Sequence, residues 1–173
     1  SVIRRVLKTG LSDVIITGKA FSVRVANTKT RYETLTDGRI VDKEEKHLVM
    51  EYADGKVAFY DFMSEQYRSP IRNRYINVRG TRGEIINDTV YYLDENNLGA
   101  VKKLEKDNIF AKSGLTGGEA AVAEIMLGMK EYVETVKEVY PMDEALYDSY
   151  ISILMEEAGR AGFKPVKASF TDI

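Results

Sequence analysis

Alternation of apolar and polar side chains recurs between residue 13 and about residue 104 and predicts β-strands there. Positions 21–26 and 47–52 both alternate with a period of two, which puts every second side chain on one face of a strand. Asp54-Gly55 separates the second segment from the apolar residues 57–60. Because Asp-Gly suits the two positive φ angles of a type I′ turn, this stretch predicts a β-hairpin.

Polar turn signals divide the rest of this region into short strands. Asp37-Gly38 predicts a turn before Ile40, and Gly80-Thr81-Arg82-Gly83 turns the chain after residues 76–79. Residues 94–97 form another polar turn between two apolar segments. Strands joined by such short turns pair antiparallel, so the pattern predicts a meander of about six or seven strands.

Three other segments show the periodicity of helices. The first begins at residue 1, with Gly10 as its predicted C-terminal cap. The second begins at Thr116, which fits a capping box with Glu119, and the third begins at Pro141. The predicted apolar faces are Val2, Ile3, Val6 and Leu7 in the first helix, Val122, Ile125, Met129, Tyr132, Val133 and Val136 in the second, and Leu146, Tyr150, Ile153 and Leu154 in the third.

Strands followed by helices predict the α+β class. We expect one open-faced, mostly antiparallel sheet of about six or seven strands with the helices packed on one face, and we interpret residues 1–173 as a single domain. Both faces of residues 57–63 are apolar. A sheet that has helices on one face and is still apolar on the other meets a partner there. The pattern does not decide whether Phe59 or Tyr60 lies on the open face.

Composition narrows the class of protein. The chain has no Cys, a single His and a formal net charge of −2. Disulfides, thiolate nucleophiles and Cys-ligated metals are therefore excluded, as is a metal site built on two or three histidines. The acidic balance argues against nucleic acid as a partner, and no apolar segment approaches the roughly 20 residues of a membrane span. We expect a cytoplasmic protein that binds neither nucleic acid nor membrane.

Two candidate sites have simpler explanations. His47 lies in an alternating strand with no orienting carboxylate in register, so a surface or interface histidine is favoured over a general base. Gly114-Leu115-Thr116-Gly117-Gly118 suits an anion at a helix N-terminus, but such glycines more often serve a backbone turn. No catalytic, cofactor-binding or metal-binding residue is therefore assigned.

Residues 67–82 are rich in arginine and contain no Asp, Glu or Lys. A guanidinium group binds carboxylates, phosphates or vicinal hydroxyls with fixed geometry. Pro70 interrupts the strand pattern, and loops that leave a rigid sheet are common places for binding groups. We expect Tyr67, Arg68 and Arg72 to line the substrate side of the domain. Bracing of the loop, ion pairing between subunits, contact with nucleic acid and a set of exposed, solvated strand arginines are the alternatives.

Three further stretches follow one another along the chain: Val78-Arg79-Gly80-Thr81-Arg82-Gly83-Glu84-Ile85, Gly114-Leu115-Thr116-Gly117-Gly118-Glu119 and Tyr140-Pro141-Met142-Asp143-Glu144-Ala145-Leu146-Tyr147-Asp148-Ser149-Tyr150. In this order they resemble the C-terminal domain of the glucose–fructose oxidoreductase / inositol dehydrogenase (Gfo/Idh/MocA) family. Their order and spacing carry the resemblance, which covers nearly the whole chain. It implies a sheet like that of the GAPDH C-terminal domain, with oligomers formed through the open sheet face.

The resemblance implies the substrate-binding and dimerisation half of an NAD(P)-dependent oxidoreductase acting on a sugar, polyol or related secondary alcohol. In that family a Rossmann domain binds NAD or NADP, and the catalytic Lys and His would both precede residue 1. We therefore expect this chain alone to be inactive and to bind no cofactor. Its expected partners are a second copy in a homodimer or tetramer, its own Rossmann domain and a sugar-like substrate. A stand-alone, non-catalytic binding or assembly domain of the same fold is the alternative.

Overall fold

A computed structural model describes residues 2–26, 36–63, 75–87, 89–97, 99–104 and 109–172. The chain divides into two compact units, Ser1–Tyr75 with Asp143–Ile173, and Ile76–Met142. The α+β class is confirmed. In chain order the elements are α1 Val2–Leu7, β1 Val14–Ala26, β2 Ile40–Tyr52, β3 Val57–Met63, β4 Asn77–Arg79, β5 Gly83–Ile86, β6 Thr89–Leu93, β7 Val101–Leu104, a 3₁₀ turn Ala111–Ser113, α2 Gly117–Thr135, α3 Met142–Ala161, β8 Val166–Ala168 and a 3₁₀ turn Phe170–Asp172.

The prediction of a single meander of about six or seven strands is wrong. The described strands form two antiparallel four-stranded sheets, with strand orders β3-β2-β1-β8 and β4-β5-β6-β7, which do not fit the GAPDH-like arrangement. The predicted tight turns do join neighbouring strands, as where the Gly80 amide donates to the Gly83 carbonyl at 2.8 Å. Residues 64–76, however, separate β3 from β4, and alternation within each strand says nothing about pairing across so long a connection.

The buried core lies in the first unit, between the sheet and α3. Val14 pairs with Tyr52 and Ile16 pairs with Met50, so even-numbered residues of β1 and β2 share one face of the sheet. This face packs against α3, since these side chains belong to the same core cluster as its buried residues. The segment after Pro165 forms β8, which pairs with the edge of β1. The buried hydrophobic side chains are Val14, Ile16, Leu48, Met50, Tyr52, Tyr147, Ile151, Leu154, Ala158 and Ala168.

The buried face of α3 differs by about one residue from the predicted one. Tyr147, Ile151 and Leu154 face the sheet, whereas Leu146 and Ile153 are exposed. Apolar residues occur on more than one side of this helix, so periodicity alone left its rotation open. Gly159 allows α3 to lie close to β1, since a Cβ there would lie 3.3 Å from the Cβ of Ala20.

Helix α1 is held by a buried arginine that its apolar pattern did not predict. Arg4 is only 3% exposed, and its Nε donates to Asp148 Oδ1 at 2.6 Å. Its other nitrogens reach the carbonyl oxygen of Gly10 and, at 3.6 Å, the carboxylate of Glu144. The predicted face is therefore only partly right. Ile3 and Leu7 pack against the core, whereas Val2 and Val6 are exposed.

The β2–β3 hairpin is confirmed, but its predicted type I′ turn is wrong. The Tyr52 amide donates to the Lys56 carbonyl at 2.9 Å, so three residues rather than two form the turn. Gly55, with φ of 82°, is the turn residue with a positive φ. A three-residue turn with Gly in the left-handed region is the next most common hairpin connection. It pairs Leu48 with Tyr60 and therefore turns Tyr60 toward the helices.

In the second unit, none of the described residues is fully buried. Helix α2 begins after Thr116 as predicted, but the Thr116 side chain makes no capping hydrogen bond, so the capping box is wrong. The Glu119 amide instead donates to the Thr116 carbonyl at 3.1 Å. The predicted apolar face of α2 is exposed within the structure: Val122, Ile125, Met129, Tyr132, Val133 and Val136.

Removal of the Tyr52 hydroxyl tests the core at alkaline pH. Tyr52 is buried, and its hydroxyl has no hydrogen-bond partner among the described residues. Burial raises the pKa of Tyr52 to about 12 in the folded protein, because the buried site favours the neutral hydroxyl. The stability that follows from this preference is complete below the unfolded pKa of about 10 and is lost as the pH rises through the folded pKa. We expect Tyr52→Phe to leave the free energy of unfolding at pH 7 unchanged or slightly higher and to reduce the alkaline loss, as measured by urea unfolding.

The matched control for this prediction is Tyr75→Phe, because Tyr75 is exposed. Its stability should follow that of the parent protein across the same pH range. An alkaline loss as steep in Tyr52→Phe as in Tyr75→Phe would show that another group is responsible.

Candidate functional site

The open face of the first sheet is the most distinctive surface of the first unit. It consists of the odd-numbered residues of β1, β2 and β3, since the even-numbered ones face α3. Phe59 is 81% exposed on this face, and Val57 and Ile15 are also exposed. Register places Val49, partly buried, between Thr17 and Phe59. The observed face therefore contains an apolar patch, which we call the open-face patch: Ile15, Val49, Val57 and Phe59.

Beside this patch lies a cluster of one histidine and two carboxylates. His47 Nε2 lies 2.9 Å from Glu45 Oε1, and His47 Nδ1 lies 3.8 Å from Asp61 Oδ1. One ligand atom from each residue can be chosen so that all three atoms lie within 4.8 Å of one another. Phe21 stacks on the imidazole at 5.2 Å between ring centroids, with an angle of 6° between the planes. The ring is thus held between an aromatic face and two acidic groups.

The prediction that His47 is a surface residue is confirmed, since its side chain is about half exposed. The statement that no carboxylate lies in register is wrong. Asp61 is the direct cross-strand partner of His47, and Glu45 precedes it by two residues on the same face. The Glu45-Lys46-His47 spacing was visible in the sequence, because residues i and i+2 of a strand share a face. The Asp61 contact needed the correct hairpin register.

On the opposite face of the sheet, a cavity of about 200 Å³ lies beside a buried lysine. Lys46 is 7% exposed and forms ion pairs with Glu156 and, at 2.8 Å, with Glu44. Burial alone would lower the pKa of Lys46, but the hydrogen bonds to Glu156 and Glu44 outweigh it and raise the pKa. A cation paired with two carboxylates is not available as a nucleophile or base, so this cavity offers no catalytic group from Lys46.

A wider groove of about 370 Å³ lies between β1, β2 and the C-terminal end of α3. The groove is lined by charged side chains of both signs, which are the basic Lys19, Lys43 and Arg160 and the acidic Asp42 and Glu44. Such a lining does not select one sign of ligand charge, and the groove defines no class of ligand.

The predicted substrate-binding residues Tyr67, Arg68 and Arg72 lie outside the described residues, and their role stays a prediction. Two other arginines of the same segment are described. Arg79 Nε lies 3.1 Å from Glu84 Oε1, and Arg82 Nη2 lies 3.3 Å from Glu95 Oε1. These two exposed arginines therefore pair with acidic residues of their own unit.

The glycine-rich start of α2 is explained by a backbone turn. Gly114 has φ of 69° and Gly117 has φ of 51°, so both occupy the left-handed region that favours glycine. The backbone turn alone accounts for these two glycines.

The fold and the open face define an α+β protein with two antiparallel sheets, one of them covered by helices on a single face. No protein-family model, curated protein or solved structure matches the chain. Within the described residues, no helix is both long enough and apolar enough to cross a membrane.

Proposed function

We propose that this chain is the substrate-binding and subunit-assembly part of an NAD(P)-dependent oxidoreductase that acts on a sugar, polyol or related secondary alcohol in the cytoplasm. The observation that carries the proposal is the open-face patch on a sheet whose other face is covered by α1 and α3. The resemblance to the Gfo/Idh/MocA family supports it, because that resemblance implies assembly through an open sheet face.

In this proposal the two functions belong to different surfaces. The open-face patch packs against the same patch of a second copy, since a two-fold interface brings identical surfaces together. Tyr67, Arg68 and Arg72 line the substrate pocket, and a Rossmann domain supplies the dinucleotide and the residues that transfer the proton. The cofactor would contribute hydride transfer, while this chain binds the substrate and positions the subunits.

Replacement of Phe59 by Asp tests the assembly surface. A two-fold interface would contain Phe59 from both copies, so the substitution places two carboxylates in an apolar contact. Each buried, unpaired charge is costly, and we expect association to weaken by at least about 100-fold. Static light scattering over a range of protein concentrations measures this change as a shift from oligomer to monomer.

Phe163→Asp is the matched control. Phe163 is also largely exposed, but it follows the end of α3 and is not one of the residues of the open-face patch; its amide donates to the Gly18 carbonyl at 2.6 Å. Its φ of 70° is a conformation that Asp tolerates well, so the substitution should not disturb the backbone. Equal association of Phe59→Asp and the parent protein, or equal loss in Phe163→Asp, would contradict assembly through this patch.

The oxidoreductase part of the proposal is tested by the coding sequence upstream of Ser1. An in-frame strand–turn–helix with a glycine-rich turn would support it, because that turn holds the pyrophosphate of NAD or NADP. A start codon next to Ser1 would instead favour the stand-alone binding or assembly domain.

A further inference from the structure

We propose that Glu45, His47 and Asp61 form a binding site for a divalent transition-metal cation such as Zn²⁺ on the open face of the first sheet. Each residue supplies one ligand atom, and water completes the coordination. The proposal goes beyond the oxidoreductase function and does not depend on it.

The geometry of the cluster suits such a cation. With metal–ligand bonds of about 2.0–2.2 Å, neighbouring ligand atoms in a tetrahedral site lie roughly 3.3–3.5 Å apart. One ligand atom from each of Glu45, His47 and Asp61 can be chosen so that all three lie within 4.8 Å of one another, although the 2.9 Å contact to Glu45 and the 3.8 Å contact to Asp61 are made by different nitrogens of the ring. Because a metal ion binds only one of these nitrogens, the bound state requires rotation of the carboxylate side chains so that both approach the same nitrogen.

The hydrogen-bonding capacity of the imidazole also favours a cation. A neutral imidazole donates from only one of its nitrogens, whereas an ionised carboxylate only accepts. Both nitrogens of His47 lie near a carboxylate oxygen, at 2.9 Å from Glu45 and 3.8 Å from Asp61, so a neutral ring can donate to only one of them and keeps a lone pair that a cation can bind.

The chemistry of the ligands selects the class of metal. Imidazole together with carboxylate oxygens suits Zn²⁺ and related transition-metal ions, whereas Mg²⁺ and Ca²⁺ prefer oxygen ligands alone. Phe21 stacks on the imidazole and limits its rotation, which reduces the ordering needed when the metal binds. The open-face patch next to the cluster puts the proposed metal on the surface that we assign to assembly.

The single histidine makes the experiment specific. Because the chain has one His and no Cys, a tag-free protein has one set of imidazole resonances and no thiolate to compete for metal. We expect Zn²⁺ added to this protein to shift the His47 imidazole resonances in a saturable manner. Calorimetric titration with Zn²⁺ gives the affinity in the same buffer.

We expect His47→Gln to lower the Zn²⁺ affinity at least about tenfold, and Glu45→Gln and Asp61→Asn each to lower it several-fold. The matched control is Glu51→Gln, which removes an exposed carboxylate from the same strand and the same face. Its affinity for Zn²⁺ should equal that of the parent protein. Circular dichroism verifies that each variant is folded.

Imidazole resonances that do not respond to Zn²⁺, unchanged affinity in His47→Gln, or an equal loss in Glu51→Gln would each overturn the proposal. Assembly is measured separately by light scattering. A failure of the metal site and a failure of the assembly surface are therefore seen in different measurements.

Discussion

Arg4→Met is expected to lower the free energy of unfolding by about 3–5 kcal/mol, because it leaves a buried carboxylate without its cation. Arg4 and Asp148 are 3% and 8% exposed, and they are joined by a hydrogen-bonded ion pair of 2.6 Å. Arg4 also lies over the ring of Tyr147, with 5.5 Å from its Cζ to the ring centroid. Methionine keeps much of the apolar stem but none of these polar contacts. Urea unfolding followed by circular dichroism measures the change.

Arg5→Met is the matched control for this experiment. Arg5 is the next residue of the same helix, its side chain is about half exposed, and its Nε lies 3.9 Å from Glu144 Oε2. Exposed pairs of this kind contribute about 0–1 kcal/mol, so stability should change little. Comparable losses in the two variants would mean that the buried pair has no special role.

A double variant tests the cause of the loss. Replacement of both members of a buried ion pair by apolar residues is often close to neutral, whereas removal of one member is costly. We therefore expect Arg4→Met with Asp148→Leu to recover a large part of the stability lost in Arg4→Met alone. No recovery would indicate that the contacts of Arg4 with Gly10 and Tyr147 matter more than the charge of Asp148.

This buried pair also shows what periodicity cannot predict. The helical pattern of residues 2–7 correctly indicated a helix, but its predicted apolar face did not include Arg4, because charged residues are rarely buried unless paired. Its partner lies far along the chain, in α3. The pattern of either helix alone therefore contained no sign that the two charges would meet or that Asp148 would lie on the buried face of α3.

The β2–β3 turn determines which side chains of β3 lie on the open face of the first sheet. A two-residue Asp54-Gly55 turn would pair Val49 with Tyr60, whereas the observed three-residue turn pairs Val49 with Phe59. A shift of one residue moves every side chain of β3 to the other face of the sheet. The sequence predicted the hairpin and an apolar open face, but Asp-Gly is compatible with both turns, so the choice between Phe59 and Tyr60 required the backbone.

The same register explains why the acidic partners of His47 were missed. Asp61 lies opposite His47 only with the three-residue turn, while a two-residue turn would bring Phe62 there. Glu45 needed no long-range information, since it shares a strand face with His47. The sequence alone therefore indicated that Glu45 and His47 lie together, whereas the contact with Asp61 required the three-residue turn. The substrate-binding prediction for Tyr67, Arg68 and Arg72 rests on composition and resemblance alone.

Gly18→Ala should be the most damaging small substitution in the sheet. Gly18 is buried in β1 and pairs with Leu48 in β2. A Cβ at this position would lie 2.8 Å from the Cα of Leu48 and still closer to the carbonyl oxygen of His47. Both of these are backbone atoms, so the contact cannot be relieved by rotation of a side chain, and the paired strands must move apart.

We expect Gly18→Ala to lower the free energy of unfolding by about 2–3 kcal/mol, the upper part of the range for an overpacked core. Gly118→Ala is the control, because Gly118 lies in the first turn of α2 and a Cβ there would meet nothing within 4 Å. Alanine is a better helix former than glycine, so that variant should be as stable as the parent or slightly more so. Urea unfolding of both variants measures the difference, and equal stability would contradict the close approach of β1 and β2.

A weakened β1–β2 pairing would also disturb the strand that carries His47, so Gly18→Ala should reduce Zn²⁺ binding while Gly118→Ala should not.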